Sequence, residues 1–303
     1  MKAVLLHEYG GPEQLKYEET GVPAYGADEV LVRMKATSLN PIDWKLRSGS
    51  AKARFPLQLP AILGRDLCGE IAEVGSAVNG FKKGARVIAL ANGTYAQYAV
   101  AKAEILAVIP ESMTFENAAA LPLVTTTGSQ LIERAVKPKE GEKVLVTGAL
   151  GGVGRTAVHV ARQHGAHVIA GVRSHEKEEA GSLGAHEVVA IDDLEEIGAL
   201  HDLDAIADTV GGTTIQRLYK ALRKGGVIGS VLGEPPGAKE HDIRVEAFMA
   251  MPDAARLSEL AQDIAQGQFT IPIARTMKLA EIQEAQQLGE KGGTGGKIII
   301  LIP

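Results

Sequence analysis

Several things are scarce in this chain, and each scarcity narrows the reading. There is one cysteine, Cys68, in 303 residues. That excludes an intramolecular disulfide and a cysteine-built zinc lobe, and it fits a reducing compartment, taken here as the cytoplasm. There is no basic excess. Lys and Arg total 32 against 37 Asp and Glu, a formal net charge of −5. A chain of that sign is not built to grip nucleic-acid phosphates, and no nucleic-acid partner is expected. Nowhere do roughly 18 apolar residues run together, so no transmembrane helix is expected. The N-terminus, Met1-Lys2-Ala3-Val4-Leu5-Leu6-His7-Glu8, holds too short an apolar stretch for a signal peptide. No repeat with a period of about 20–50 residues is visible.

What is present is ordinary globular material. Hydrophobic residues make up 45% and charged residues 23%, and the length suits about two domains at roughly 150 residues each. The first third reads as short strands between glycine turns, at residues 2–7, 29–36, 69–74, 86–90 and 95–100. Residues 29–36 alternate apolar and polar side chains in the half-buried strand pattern. A mainly antiparallel, partly barrel-like β domain follows from this. At Thr114, a capping residue before an alanine-rich run, the pattern changes to helix. Strands then alternate with helices from residue 142 to 232, which implies a parallel, doubly wound sheet and an α/β class overall. A helix at 252–266, a strand at 271–277, a helix at 279–288 and a strand at 297–302 close the chain. That last strand suggests a return to the first domain.

The strongest motif is Val144-Leu145-Val146-Thr147-Gly148-Ala149-Leu150-Gly151-Gly152-Val153-Gly154-Arg155. An apolar strand enters a glycine-rich turn and a helix opens after it. Glycines let the backbone approach a pyrophosphate, and the helix N-terminus offers free N–H groups and its positive dipole end. The following segment distinguishes the cofactors. NAD sites usually carry an acid about 20 residues on, for the ribose 2′-OH. Residues 155–175 contain no acid, and the second strand ends in Arg173-Ser174 with Lys177 close behind. Arg173 can pair with a 2′-phosphate and Ser174 can donate to it, so NADP(H) is expected rather than NAD(H). The Thr147-Gly148-x-x-x-Gly152-x-Gly154 spacing also matches short-chain dehydrogenases. More than 140 residues precede it here, however, and the only Tyr-x-x-x-Lys pair, Tyr98 with Lys102, lies upstream of it.

With these segments in hand, the whole chain resembles the zinc-independent quinone oxidoreductases of the medium-chain dehydrogenase/reductase superfamily. The resemblance is carried by Asn40-Pro41-Ile42-Asp43-Trp44-Lys45, by Gly64-Arg65-Asp66-Leu67-Cys68-Gly69 with Val74-Gly75, and by Ala120-Leu121-Pro122-Leu123 with Thr127. Asp208-Thr209-Val210-Gly211-Gly212 and Gly296-Lys297-Ile298 complete it. The wording is nearest to chloroplast-envelope homologues and bacterial relatives. The resemblance implies a GroES-like catalytic domain at 1–115, completed by 253–303, around a Rossmann NADP-binding domain at 116–252. It also implies a homodimer and a small quinone or α,β-unsaturated carbonyl as substrate. Zinc relatives carry Gly-His-Glu where this chain has Gly64-Arg65-Asp66, so no metal is expected.

For the cofactor, the resemblance implies Asn40, Thr127, Gly148, Ala149, Gly151, Gly152, Val153, Arg173, Ser174, Lys177, Thr209, Val210 and Leu232. Asn40 is the leading catalytic candidate, its amide a donor to a substrate oxygen or to the nicotinamide; the plainer reading is a turn asparagine before proline. Lys45 is a second catalytic candidate, as a cation for an anionic oxygen, with a solvated lysine as its plain alternative. Asp43 and Asp66 read as structural carboxylates, and Arg65 as a weaker catalytic candidate. No tyrosine lies between Tyr25 and Tyr95, so the tyrosine that several relatives carry near this motif has no local counterpart. Two other readings stay open, an enoyl-thioester reductase and a non-catalytic NADPH-binding module acting through partners.

Overall fold

The computed structural model describes residues 1–303. The chain divides into two compact units, residues 1–123 with 252–303, and residues 124–251. The first stretch carries strands β1 (Lys2–Leu6), β2 (Leu15–Glu19) and β3 (Glu29–Ser38), helix α1 (Pro41–Ser48), strands β4 (Ala61–Ile62), β5 (Asp66–Val74), β6 (Arg86–Leu90), β7 (Tyr98–Lys102) and β8 (Ala107–Val108), and helix α2 (Phe115–Ala119). The second unit holds α3 (Pro122–Gln130), which starts at the junction and runs into a wider-wound turn at Leu131–Val136. It continues with β9 (Lys143–Thr147), α4 (Gly152–Gln163), β10 (His167–Val172), α5 (Lys177–Ala180), β11 (Glu187–Ala190), α6 (Leu194–Ala199), β12 (Leu203–Asp208), α7 (Gly212–Arg217), β13 (Leu222–Ser230) and β14 (Arg244–Ala247). The chain then re-enters the first unit with α8 (Ala254–Ala265), β15 (Ile273–Lys278), α9 (Ile282–Lys291) and β16 (Lys297–Leu301).

In the first unit, β3 is the shared strand. Its first half pairs with β7 and its second half with β16, both antiparallel, while β5 pairs along its other edge. Ten residues with a burial pattern of mostly inward side chains allow this double use. Two register shifts bend the β3–β5 ladder. Gly69 lies where the backbones come closest: a Cβ there would meet the Arg33 carbonyl oxygen at 2.2 Å. The apolar terminal strand is thus a piece of the first unit's sheet, with Ile299 opposite Ser38 and Leu301 opposite Ala36. Helix α2, capped by the Thr114 side chain on the Asn117 amide, also belongs to this unit. The Cys68 thiol donates to the Phe115 carbonyl, and the Leu123 amide donates to Asp66. These contacts carry the first unit to Leu123, past the boundary expected at residue 115.

The second unit is a six-stranded parallel sheet in the order β11-β10-β9-β12-β13-β14. The strand order reverses between β9 and β12. In open α/β sheets, that switch point opens the crevice where ligands lie. The turn leaving β9 is the glycine-rich Gly148–Gly151 segment. Strand β14 escaped the sequence pattern because only one of its four residues is even half-buried, so no apolar alternation marks it. The helix after the β12 turn is short: it ends at Arg217, and Leu222 already begins β13.

Candidate active site

Two groups of side chains stand out, one in each unit. The first is a buried polar frame around Asn40. Residues Asn40-Pro41 open helix α1, with proline at its first position, where a missing N–H costs nothing. The Asp43 side chain reaches back to the Asn40 amide at 2.8 Å, half of a capping box. The other half is absent, because the Asn40 side chain turns elsewhere. Its Oδ1 accepts from Lys297 Nζ at 2.6 Å, and its Nδ2 donates to Asp66 Oδ2 at 2.6 Å. Lys297 also donates to the Leu39 carbonyl at 2.8 Å and lies 3.7 Å from Asp66. Ser38 Oγ donates to Asp66 in a short hydrogen bond, and the Leu123 amide donates to its other oxygen at 2.7 Å. Tyr95 closes the frame, donating from its hydroxyl to Asp43 Oδ2 at 2.8 Å.

Asn40, Asp43, Asp66 and Tyr95 are all 0% exposed. Burial raises the Asp43 carboxyl to about 7, against the opposing hydrogen bonds from Tyr95 and the Asn40 amide. It also raises the Tyr95 hydroxyl, and it lowers the Lys297 ammonium in spite of Asp66 and Asp43 nearby. Both amide atoms of Asn40 are thus engaged inside the protein. Lys45 lies on the exposed side of α1, while Asp43, Leu46 and Arg47 face inward. The lysine in contact with Asn40 is Lys297, from 257 residues away. The sequence marks Lys297 only as part of a landmark motif, with no link to Asn40, and gives no role to Tyr95, which supplies a tyrosine to the Asn40 motif from 52 residues beyond Asp43. No local pattern encodes either pairing.

The second group surrounds the glycine turn. Gly148 has a left-handed φ of +62°, and a Cβ there would sit 2.7 Å from Thr209 Oγ1 and 2.9 Å from a Val210 methyl. A Cβ on Gly154 would lie 2.2 Å from the Gly148 carbonyl oxygen, so α4 packs on the turn only with glycine. Gly152 is backed by Val124 at 3.0–3.2 Å, whereas Gly151 is exposed, with only the Gly148 oxygen near its Cβ position at 3.3 Å. Gly152 and Val153 open the helix, where first-turn N–H groups have no intrahelical partner. Ala149 is fully buried, and its amide donates to the Gly171 carbonyl at 3.1 Å. The adjoining β12 turn is held by Asp208. Its Oδ1 accepts from the Thr147 hydroxyl and from the Val210 and Gly211 amides at 2.9–3.2 Å. Thr209 donates through its hydroxyl to the Thr147 carbonyl at 2.6 Å. Val210 and Leu232 remain 44% and 48% exposed beside this turn. Thr127 is half-buried on α3.

At the end of β10, Arg173 is exposed, and its guanidinium makes no hydrogen bond or ion pair. Its neighbours are engaged by acids. The Ser174 amide and hydroxyl both donate to Asp192 at 2.8 Å, and Lys177 pairs with Glu196 at 2.8 Å. The Ser174 hydroxyl holds the Asp192 carboxyl below its ordinary range. No acid stands in residues 155–175, but Asp192 brings one to Ser174 from the end of the next strand.

The glycine cradle suits a dinucleotide: glycines where a side chain would collide, a helix N-terminus above them, and apolar side chains left exposed alongside. The residues do not suit zinc. No group of three or more His, Cys, Asp or Glu side chains is placed to hold a metal ion. Cys68 is buried, its thiol is pushed well above the ordinary range, and it donates a hydrogen bond, so it offers no thiolate.

Comparison with known proteins agrees with this architecture. Residues 26–111 match the alcohol dehydrogenase GroES-like domain, and residues 183–300 match the family described as zinc-binding dehydrogenase. The chain is 30% identical to the chloroplast envelope quinone oxidoreductase homolog of Arabidopsis thaliana over 323 aligned positions, covering 99% of this chain and 98% of that protein. With a chloroplastic quinone-oxidoreductase homolog of Spinacia oleracea it shares 37% identity over 204 residues, which span 62% of each chain. Among solved structures, the Coxiella burnetii quinone oxidoreductase superposes with a TM-score of 0.90 at 30% identity, covering 100% of this chain and 99% of that one. Escherichia coli quinone oxidoreductase complexed with NADPH gives 0.85 at 27% identity, covering 99% of this chain and 100% of that one. The chain belongs to the medium-chain dehydrogenase/reductase superfamily, in its quinone oxidoreductase group. No helix in it is long and apolar enough to cross a membrane.

Proposed function

We propose that the protein is a metal-independent, NADPH-dependent reductase of quinones or α,β-unsaturated carbonyl compounds. The observation that carries the reading is the glycine turn at the switch point, where Gly148 and Gly154 leave no room for a Cβ. The resemblance to an oxidoreductase solved with NADPH supports the choice of cofactor. In this reading the first-turn amides of α4 at Gly152 and Val153, with Gly148, Ala149 and Gly151 shaping the turn, hold the pyrophosphate. Thr127, Thr209, Val210 and Leu232 line the dinucleotide. Arg173 holds the 2′-phosphate, with Ser174 and Lys177 beside it. NADPH supplies a hydride for the acceptor's conjugated system. The protein orients the acceptor and stabilises the negative charge that collects on its oxygen. The Asn40 frame is the fixed base of the substrate side, and solvent supplies the final proton. A homodimer, read by light scattering, belongs to the same reading.

The test is the rate of NADPH oxidation by purified protein with a chelator present. The acceptors are simple quinones, short enones and enoyl thioesters, with NADH run in parallel. Turnover of a quinone or enone with NADPH preferred supports the reading. Turnover of thioesters alone would make it an enoyl reductase. Tight NADPH binding with no acceptor reduced would leave a binding module.

A further inference from the structure

Arg65 stands apart from the other arginines packed into the fold. Arg47 and Arg155 are the two buried outright, at 2% and 8% exposure. Arg47 donates to the Gly10 carbonyl, Gln286 and Glu290, and Arg155 to the Leu150 carbonyl and Glu179. Each has the partners that a desolvated guanidinium requires. Arg65 is partly buried, its Nε is buried without a partner, and its guanidinium makes no hydrogen bond or ion pair. Its backbone, by contrast, is pinned. The Ala91 amide donates to its carbonyl at 3.0 Å, and the Tyr95 amide donates to the Leu63 carbonyl at 3.0 Å. Gly64 between them has φ +96°, and a Cβ there would sit 2.3 Å from Thr94 Oγ1. This is a rigid mount for a cation that lacks a counterpart.

The neighbouring acids do not fill that role. Asp66 accepts from Ser38, Asn40 and the Leu123 amide, and Asp43 accepts through Oδ2 from the Asn40 amide and Tyr95, while its Oδ1 is buried with no hydrogen-bond partner, Arg65 included. Both lie near enough to act on Arg65 through charge, but neither pairs with it. A cation stripped of part of its water and held off its nearest acids is a place for an anion that arrives from outside.

We propose that Arg65 is the group that receives the anionic oxygen of the acceptor. The inference rests on the reductase reading above. In the reduction of an enone, the β-carbon gains a hydride with its electron pair from the reduced nicotinamide. The C=C pair moves to form the bond between α-carbon and carbonyl carbon, and the C=O pair moves onto oxygen. The guanidinium faces that oxygen as its charge grows. A proton from water then adds at the α-carbon, the C=O bond re-forms, and oxidised cofactor is released. Preorganised donors of this kind act where charge develops, so they affect turnover more than ground-state binding.

The test uses the full chain with NADP+ and a probe pair of nearly equal shape, the 2-hydroxy-1,4-naphthoquinone anion and neutral 1,4-naphthoquinone, titrated by calorimetry. Arg65→Met is expected to weaken the anion by about tenfold or more while the neutral quinone changes by less than about twofold. Arg65→Lys recovers part of the anion affinity. In turnover, Arg65→Met lowers kcat about a hundredfold with little change in KM. Anion affinity equal to wild type in Arg65→Met, or equal losses for both probes, would overturn the proposal. Arg65→Gln, which keeps a planar donor without the charge, serves in its place if the methionine variant does not fold. The reductase reading fails separately, if wild type with NADPH reduces none of the acceptors. The probe pair still decides whether Arg65 is an anion site.

Discussion

Asn40 and Thr209 both follow the end of a strand, one in each unit, yet they are held in opposite ways. Asn40 is fully buried, and both of its amide atoms are engaged, by Lys297 and Asp66. Thr209 is held by its neighbour strand through Thr147, while Val210 and Leu232 beside it stay 44% and 48% exposed. Around Asn40 the first unit encloses charged groups and ties them to one another, leaving Asp43 Oδ1 and Arg65 Nε without partners, which fixes geometry at the cost of desolvation. The second keeps its strand ends open and satisfies the turn through one buried carboxylate, Asp208. A frame of the first kind positions a reacting group. A surface of the second kind receives a large ligand.

The sharpest way to break the comparison is to remove a cation from the closed frame. Lys297→Met leaves Asp66 buried without its positive neighbour and strips Asn40 Oδ1 of its donor. A loss of about 3–5 kcal/mol is expected in urea unfolding, the usual consequence of breaking a buried pair by one partner. A loss under about 1 kcal/mol would contradict the closed-frame account.

Asp43 gives the frame a pH signature. Its carboxyl is raised to about 7 by burial. Below about pH 4 it is protonated in both folded and unfolded chains. As pH rises from about 4 to 7, the unfolded chain releases that proton while the folded chain keeps it, so wild type loses stability, up to about 1.4 kcal/mol per pH unit. Asp43→Asn has no such proton. Its stability relative to wild type should rise through that window and level off above about pH 8, as read from unfolding at a series of pH values. A pH-independent difference would show that Asp43 is ionised in the fold at neutral pH.

A third contrast lies within the second unit. Gly154→Ala places a Cβ 2.2 Å from the Gly148 oxygen, whereas Gly151→Ala meets only that oxygen at 3.3 Å. The first should cost about 1–3 kcal/mol and weaken NADPH binding. The second should leave stability within about 0.5 kcal/mol. Equal effects would mean that the cradle is not set by that close approach.

Much of the fold was legible in the sequence. Strands 86–90 and 143–147, the capping role of Thr114 and the return of the terminal strand follow local patterns that packing reinforces. Helix α1 was not legible as a helix, because Asn-Pro also signals a turn; its proline occupies the first helical position. The site was only half legible. The glycine turn announces itself within a dozen residues. The partners of the Asn40 side chain, Asp66 and Lys297, lie 26 and 257 positions away, and no spacing rule reaches that far. Asp192 was outside the stretch in which a ribose-binding acid is sought, since it comes from the strand after the expected one. It yields the smallest expected effect. Asp192→Asn removes an anion beside the proposed phosphate site and should shift the NADPH-to-NADH affinity ratio toward NADPH by about threefold to tenfold. An unchanged ratio would place Asp192 outside cofactor selection.

The most direct measurement is calorimetric binding of NADPH and NADH to wild type and to Arg173→Ala. The account predicts tighter binding of NADPH by wild type. It also predicts a loss of about tenfold or more for NADPH alone in the variant, as removal of a phosphate-binding guanidinium requires. Equal affinities for both cofactors, or equal losses in the variant, would contradict it.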